Sequence, residues 1–400
     1  MKIVIVGNGV AGTLAAKGIR ELDDRAEIVL FSAEDHLYYP RPNLIELIGG
    51  SLPPNRLFAF PERWYADHHI DVRLSSPVVR VHPERREVET AGGRMWAYDS
   101  LLLADGASSF VPPVKGAGLP GAFTLRTLDD ARRILDYHPS DPRVVILGGG
   151  LLGLEIARAV KARGMDVDVI EFFPILLPRQ LDPRGADLLK NAIERAGIRV
   201  LLGRETEEIL GPGEVRGLRL KGGEEIPAGR VVFAAGVRPN IELAREAGIA
   251  TERGVLVDDF LKTSAPGVFA AGDGVQHRGR TYGIIPASFD QARVAAGNIL
   301  GRATPYAGTT PANTLKVAGI HLTSVGSIHP RPEGGEELLF EDPERGLYKK
   351  VVLQEGRAVG AIWMGTKAGV QGITRAVLAK SDVKKWKDGL LDEGFDFSVI

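Results

Sequence analysis

Residues 144–157 read VVILGGGLLGLEIA. A continuous apolar run meets Gly148, Gly150 and Gly153 and passes straight into a second apolar run with helical spacing that extends to Arg163. The pattern predicts a buried strand, a tight turn and a helix whose free N–H groups and positive dipole end face a pyrophosphate. The first glycine permits the turn, the second admits the ligand to the backbone, and the third lets the helix pack on the strand. A second strand is expected over 166–170, ending in Glu171. This acid lies about twenty residues past Gly150, where a carboxylate can hold both hydroxyls of an adenosine ribose. No arginine or lysine follows it closely in sequence, which favours NAD over NADP. Residues 3–16, IVIVGNGVAGTLAA, repeat the pattern: a strand from Lys2 to Val6, then Gly7, Gly9 and Gly12, a helix beginning near Val10, and a further strand over 27–31. One such glycine motif is weak evidence, but two complete strand–turn–helix units are specific. In the first copy Ser32 stands where Glu171 stands in the second, and the nearest acid is Glu34. Either Ser32 and Glu34 share the ribose contact or the loop is reshaped.

The chain has 400 residues, too many for one hydrophobic core, so two or three domains are expected. A net charge of -1 gives no basic field for nucleic acid or an anionic membrane. No apolar run reaches the roughly 18 residues of a membrane helix. Met1 is followed almost at once by a strand-like run, leaving no room for a signal peptide, and a cytoplasmic location is expected. Cysteine is absent from the sequence. That excludes disulfides, thiolate nucleophiles and cysteine-held zinc or iron–sulfur centres within it. Asp35-His36 and Asp67-His68-His69 have no companion ligands at metal spacing and read as surface or capping histidines.

Three further apolar runs end in short turns: 101–104 before Asp105-Gly106, 231–235 before Gly236, and 267–271 before Gly272-Asp273-Gly274. With these in place the chain resembles the two-dinucleotide-binding flavoproteins, the FAD-dependent pyridine nucleotide oxidoreductases. Within them it is most similar to rubredoxin reductases and to the flavin part of the assimilatory nitrite reductase large subunit. The stretches that carry the likeness are YYPRPNLIELIGG (38–50), ILLPRQLD (175–182) and NTLKVAGIHLTSVG (313–326). The resemblance implies an α/β fold with two Rossmann-like dinucleotide-binding domains, one for FAD and one for NAD, and a C-terminal α+β domain. It places the FAD-binding domain at 1–112 and 237–305, the NAD-binding domain at 113–236, and the C-terminal interface domain at 306–400.

The same resemblance assigns residues. FAD would be held by Gly7, Gly9, Val10, Ala11 and Gly12, with Ser32, Glu34, Arg41, Val78, Arg126, Gly272, Asp273, Ile285 and Lys316. Asp273 would serve the ribitol, Arg41 the phosphates and Lys316 the ring. NAD(H) would be held by Gly148, Gly150, Leu151, Leu152, Gly153, Glu171 and Gly236. Glu155 would be catalytic, fixing the side chains where nicotinamide meets flavin; alternatively it is an acid favoured by the helix dipole. The stretch after Ile284, with Pro286 in its first turn, predicts a helix aimed at the flavin or an ordinary interface helix. Asp105 departs from the family, whose members carry threonine there, and an aspartate beside a pyrophosphate repels it unless it faces elsewhere or is protonated.

Disulfide reductases of the family carry cysteines beside the flavin, and this chain has none. The resemblance therefore implies an NADH-dependent FAD reductase that passes electrons to a small one-electron carrier, rubredoxin-like or ferredoxin-like. The alternatives are a peroxide-forming NADH oxidase and a flavin- and NAD-binding sensor without turnover. Nitrite reductases continue into iron–sulfur and sirohaem segments, which this sequence does not show. A monomer or homodimer is expected. In the third region, LYKKVVLQEGRAVGAIWMG predicts a hairpin across QEGR. A following helix is expected to end in Lys384-Lys385-Trp386-Lys387, either a dock for an acidic carrier or a solvated helix end.

Overall fold

The computed structural model describes residues 1–317 and 319–400. The chain forms two compact units. The first is Met1–Leu47, Leu52–Ser109 and Val237–Thr309; the second is Ile48–Ser51, Phe110–Gly236 and Thr310–Ile400.

The first unit is built on a five-stranded parallel sheet. Its order is Val268–Ala270, Ser100–Leu103, Lys2–Val6, Glu27–Phe31, Ile70–Arg73. The strands are apolar on both faces because both are covered. Ile3, Ile5, Leu30 and Leu102 pack under the helices Val10–Leu22 and Ile285–Ile299, against Ala15, Ile19, Ala292 and Ala296. Val4, Val6, Val29 and Leu103 form the other face with Val81, Val88 and Tyr98. Small residues on both helices let them pack closely, as at Gly18, which faces Ala296.

The second unit repeats the plan with the order Ile198–Leu202, Val167–Glu171, Val144–Leu147, Arg230–Phe233, Ala122–Thr124, again all parallel. One face of this sheet packs on the antiparallel strands Thr206–Leu210, Gly217–Leu220 and Glu225–Pro227 through Val145, Leu147, Phe233, Leu218 and Leu220.

The C-terminal part is a five-stranded antiparallel sheet: Ala312–Val317, Ile320–Gly326, Arg357–Met364, Leu347–Gln354, Gly335–Asp342. The hairpin across QEGR is present. Its turn residues Glu355 and Gly356 both have positive φ, 53° and 78°, the twist that a two-residue hairpin requires. The expectation for the following helix is corrected. It spans Val370–Ala379 and is closed by Lys380 at φ 50°. Lys384–Trp386 is a separate 3-10 turn, started by the Asp382 carboxylate accepting from Lys384 N, and Lys387 pairs with Glu336. The lysines are therefore not a helix end, and the dipole explanation for them falls.

Candidate functional site: two glycine loops

The two glycine loops share one backbone plan. Val6 is paired with Phe31 on one side and Leu103 on the other; Leu147 is paired with Ile170 and Phe233. Gly7 N donates to Phe31 O at 2.9 Å, and Gly148 N donates to Ile170 O at 2.8 Å. Ala104 N donates to Val6 O and Ala234 N to Leu147 O, both at 2.8 Å. By this register Ser32 occupies the place of Glu171, Asp105 that of Ala235, and Gly106 that of Gly236. Each loop lies at the carboxyl ends of its parallel strands, where ligands bind in open α/β sheets.

The glycines divide into two kinds. Gly7 and Gly148 have φ of 110° and 122°, and a Cβ on either would run into the carbonyl of Ala104 or Ala234. Gly12 and Gly153 lie against the carbonyls of Gly7 and Gly148 in the same way. Their bareness is required by the fold. Gly9 and Gly150 differ: each has negative φ and precedes its helix, and a Cβ there meets no atom of the described residues within 4 Å. Nothing among the described residues demands glycine at these two positions. A ligand approaching the backbone does, and the N-termini of Val10–Leu22 and Leu151–Ala162 offer it unpaired N–H groups. Val10 and Ala11, and Leu151 and Leu152, open these helices. Both loops thus fit a dinucleotide pyrophosphate.

The acids beyond the loops are held differently. Glu171 is buried. Its Oε2 accepts from Gly149 N at 2.5 Å and its Oε1 from Phe173 N at 2.8 Å. The carboxylate is thereby locked beside the second glycine loop. Arg204, from the end of the next strand, donates its N–H to Glu171 O at 3.0 Å, a neighbour that sequence spacing hides. The exposed rings of Phe172 and Phe173 follow. In the first copy, buried Ser32 donates from Oγ to Glu34 O at 3.0 Å. The Glu34 carboxylate accepts from the Tyr39 hydroxyl and lies 3.7 Å from the Arg41 guanidinium. The loop is thus drawn so that Ser32, Glu34 and Arg41 lie together.

The first unit also brings the Asp273 turn to its sheet's carboxyl edge. Gly272 has φ 97°, its N–H donates to buried Gln291 Oε1 at 2.7 Å, and its Cβ position faces Ala11. Gln291 was not anticipated from sequence. With Ser288 it is a polar pair at i, i+3 among the mostly small and apolar buried residues of this helix, and that is the signal that could have found it. Ile285, 39% exposed, stands at the start of this helix. Val78 opens the small antiparallel sheet Val78–His82, Glu87–Thr90, Met95–Ala97 and is opposite Thr90.

In the second unit Glu155 is half-buried in the second turn of Leu151–Ala162. Arg126 precedes the Thr127 cap of the helix Leu128–Asp136, and its N–H donates to the Asp130 carboxylate at 2.9 Å. Lys316 is exposed on Ala312–Val317, opposite His321. Gly236 has φ 101° and follows the strand Arg230–Phe233. Also absent from the sequence reading was a buried cluster on ILLPRQLD. Asp182 Oδ2 accepts from Tyr348 Oη at 2.6 Å and from Lys350 Nζ at 2.9 Å, and its Oδ1 caps the helix Pro183–Arg195 at Gly185 N. Lys350, 3% exposed, also reaches Glu337 at 2.7 Å. Burial pushes the Asp182 carboxyl up, but Tyr348, Gly185 and Lys350 together outweigh it and hold it below the usual carboxylate range.

Comparison with known proteins agrees with this architecture. Residues 1–296 match the pyridine nucleotide-disulphide oxidoreductase family, and residues 311–381 match the rubredoxin NAD+ reductase C-terminal domain. The chain is 35% identical to nitrite reductase [NAD(P)H] of Bacillus subtilis over 96% of its own length and 48% of that protein's, so it spans about half of such relatives. It is 33% identical to rubredoxin-NAD(+) reductase of Ectopseudomonas oleovorans, over 82% of this chain and 87% of that one. The ferredoxin reductase for the CYP199A2 system of Rhodopseudomonas palustris has the same fold, with a TM-score of 0.90 and 30% identity, over 100% of this chain and 99% of that one. The chain is therefore a cysteine-free member of the pyridine nucleotide-disulphide oxidoreductase family.

Proposed function

We propose that the chain is an NADH-dependent FAD reductase that delivers electrons to a small one-electron carrier protein of the rubredoxin or ferredoxin kind. The observation that carries the reading is the pair of open glycine positions, Gly9 and Gly150, each at a helix N-terminus within the same backbone plan. The similarity to a rubredoxin reductase and to a ferredoxin reductase supports the choice of acceptor.

In this reading residues 1–112 and 237–305 hold FAD, residues 113–236 hold NADH, and 306–400 form the interface domain. The first loop with Asp273, Ser32, Glu34 and Arg41 binds FAD, with Val78, Arg126, Ile285 and Lys316 as further contacts. The second loop with Leu151, Leu152 and Gly236 binds NADH, and Glu171 selects its ribose. Glu155 orients the reacting partners. Bound FAD supplies the two-electron to one-electron step that NADH and an iron–sulfur carrier cannot make directly. The protein's part is to position the two dinucleotides and to exclude water.

The test is anaerobic reduction by NADH and by NADPH in a stopped-flow instrument, then reoxidation with rubredoxin, ferredoxin, oxygen and nitrite in parallel. Bleaching by NADH with rapid reoxidation by a carrier supports the proposal. Fastest reoxidation by oxygen makes the protein an oxidase, and slow reoxidation by every acceptor makes it a sensor. The matches to nitrite reductases favour nitrite as the second acceptor to examine, supplied with the rest of such a system.

A further inference from the structure

The registers equate Asp105 of the first unit with Ala235 of the second. Each follows the third strand of its loop, directly beside the first glycine. The ideal Cβ of Gly7 lies 3.0 Å from Asp105 N, and that of Gly148 lies 3.3 Å from Ala235 N. One copy of the device thus carries a carboxyl group where the other carries a methyl.

The main chain at Asp105 is held in place. Asn240 Nδ2 donates to Asp105 O at 2.8 Å, Asn240 N donates to Gly106 O at 2.9 Å, and Ser108 Oγ holds Asn240 Oδ1 at 2.7 Å. The peptide is pinned on its outer side. Its Oδ1 is directed toward the Asp273 turn, 3.7 Å from the ideal Cβ of Gly274. The carboxyl therefore stands between the first glycine loop and the Asp273 turn, the two segments that frame the anion site. A carboxylate and a pyrophosphate cannot both be fully charged at such quarters without a cation between them. The neighbouring elements carry Glu242, Arg245 and Glu246 on the helix Glu242–Glu246, Asp273 in the adjoining turn and Arg238 on Val237–Pro239, and of these the charge of Glu242 acts on the Asp105 carboxyl.

We propose, resting on the reading of the first loop as the FAD site, that Asp105 is a positioning residue that serves as a neutral acid, donating a hydrogen bond toward the dinucleotide. The state of the free protein is consistent with this. Burial pushes the carboxyl up to about 7, partly opposed by its own backbone N–H and reinforced by the charge of Glu242. Bound pyrophosphate raises it further, so FAD binding takes up a proton near neutral pH. FAD affinity then falls as pH rises through and above 7, approaching about tenfold per pH unit once ionisation competes with binding. The second loop, with Ala235, is free of this dependence.

The experiment measures FAD retained by the holoprotein after dilution and ultrafiltration, from pH 6 to pH 9, for wild type, Asp105→Asn and Asp105→Thr. Asn and Thr donate a hydrogen bond but do not ionise. Both variants should match wild type at pH 6 and hold FAD more than tenfold tighter than wild type at pH 9. If wild type and the variants share one slope, or if the variants lose FAD equally at every pH, Asp105 is not a neutral donor and the inference is wrong. If one variant fails to fold, the other decides. A wild-type protein that holds no FAD at any pH refutes the assignment of the first loop instead, so the two failures are separable.

Discussion

After its second strand the first loop presents Ser32; the second presents Glu171. Up to that residue the two loops share their main-chain plan: the same turn glycine, the same close approach of the third glycine, the same open middle glycine. Beyond it they part. Glu171 is fixed by two backbone N–H groups, while Ser32 turns inward to a carbonyl and hands the acid role to Glu34, which is paired with Tyr39 and Arg41. The shared part fits a pyrophosphate, which every dinucleotide carries. The divergent part follows the second strand of each sheet, the place proposed above for the sugar, where two dinucleotides differ.

The largest effects should come from the glycines, and they should split by kind. Gly12→Ala and Gly153→Ala place a Cβ on a backbone carbonyl and should destabilise their units by about 3 kcal/mol. Gly9→Ala and Gly150→Ala should leave thermal unfolding of the ligand-free protein unchanged or slightly improved. Their cost should appear in binding, at roughly a hundredfold, since a comparable overlap would fall on the ligand. Gly9→Ala should lose FAD; Gly150→Ala should keep FAD but weaken NADH. Flavin content and NADH titration read both. Normal FAD in Gly9→Ala would break the equivalence of the two loops.

The second copy carries a further fastening, the buried Asp182–Lys350–Tyr348 cluster that ties its helix Pro183–Arg195 to the C-terminal sheet. Asp182→Ala leaves Lys350 with Glu337 alone and removes a helix cap, at a cost of about 3 kcal/mol. The sign with pH follows from the lowered carboxyl. Its stabilisation is present above the unfolded-state carboxylate range and is lost as pH falls through the lower folded value. Wild type should therefore lose stability below about pH 4 more steeply than Asp182→Asn, as measured by urea unfolding at pH 3 and pH 7. Parallel curves would remove the cluster from the acid response.

Glu171→Ala should reduce the NADH preference over NADPH by about 1.5–3 kcal/mol in kcat/KM, the worth of a charge-assisted hydrogen bond. The lost carboxylate also frees Gly149 N and Phe173 N, so some loss of NADH affinity through the loop itself is expected. An unchanged ratio would show that Glu171 serves the loop alone.

Much of this was legible in the chain. Continuous apolar runs and glycine spacing reveal both parallel sheets, because a strand covered on two faces has no polar alternation to obscure it. The QEGR hairpin was legible because a polar break between apolar runs is a local signal. The Asp182–Lys350 pair was not, since its partners are remote in sequence and a lysine in a strand ordinarily reads as exposed. The end of the last helix was misplaced because Lys380 adopts a left-handed conformation that glycine more often supplies, and no glycine marked it. Asn240 and Gln291 escaped for a related reason. Each works by holding a neighbouring backbone turn, so even where a polar residue interrupts an apolar face, as Gln291 does, its sequence does not say which turn it holds.

The smallest effect should be that of Ser32→Ala. Its hydroxyl donates to Glu34 O, but that carbonyl also accepts from Ser75 N at 3.1 Å, so removal leaves no orphaned acceptor. The expected loss is about 0.5–1 kcal/mol in stability, with FAD retention changed by less than about fivefold. Glu34→Ala should do more, since Tyr39 and Arg41 would both lose their acid. The pair of variants sharpens the contrast between the loops. If the second copy's arrangement were merely displaced by two residues in the first, Glu34→Ala would mirror Glu171→Ala while Ser32→Ala stayed silent. If instead Ser32 itself holds the ribose, Ser32→Ala would lose FAD with its thermal unfolding nearly unchanged. Flavin retention and melting of the two variants, side by side, decide between a shifted acid and a replaced one.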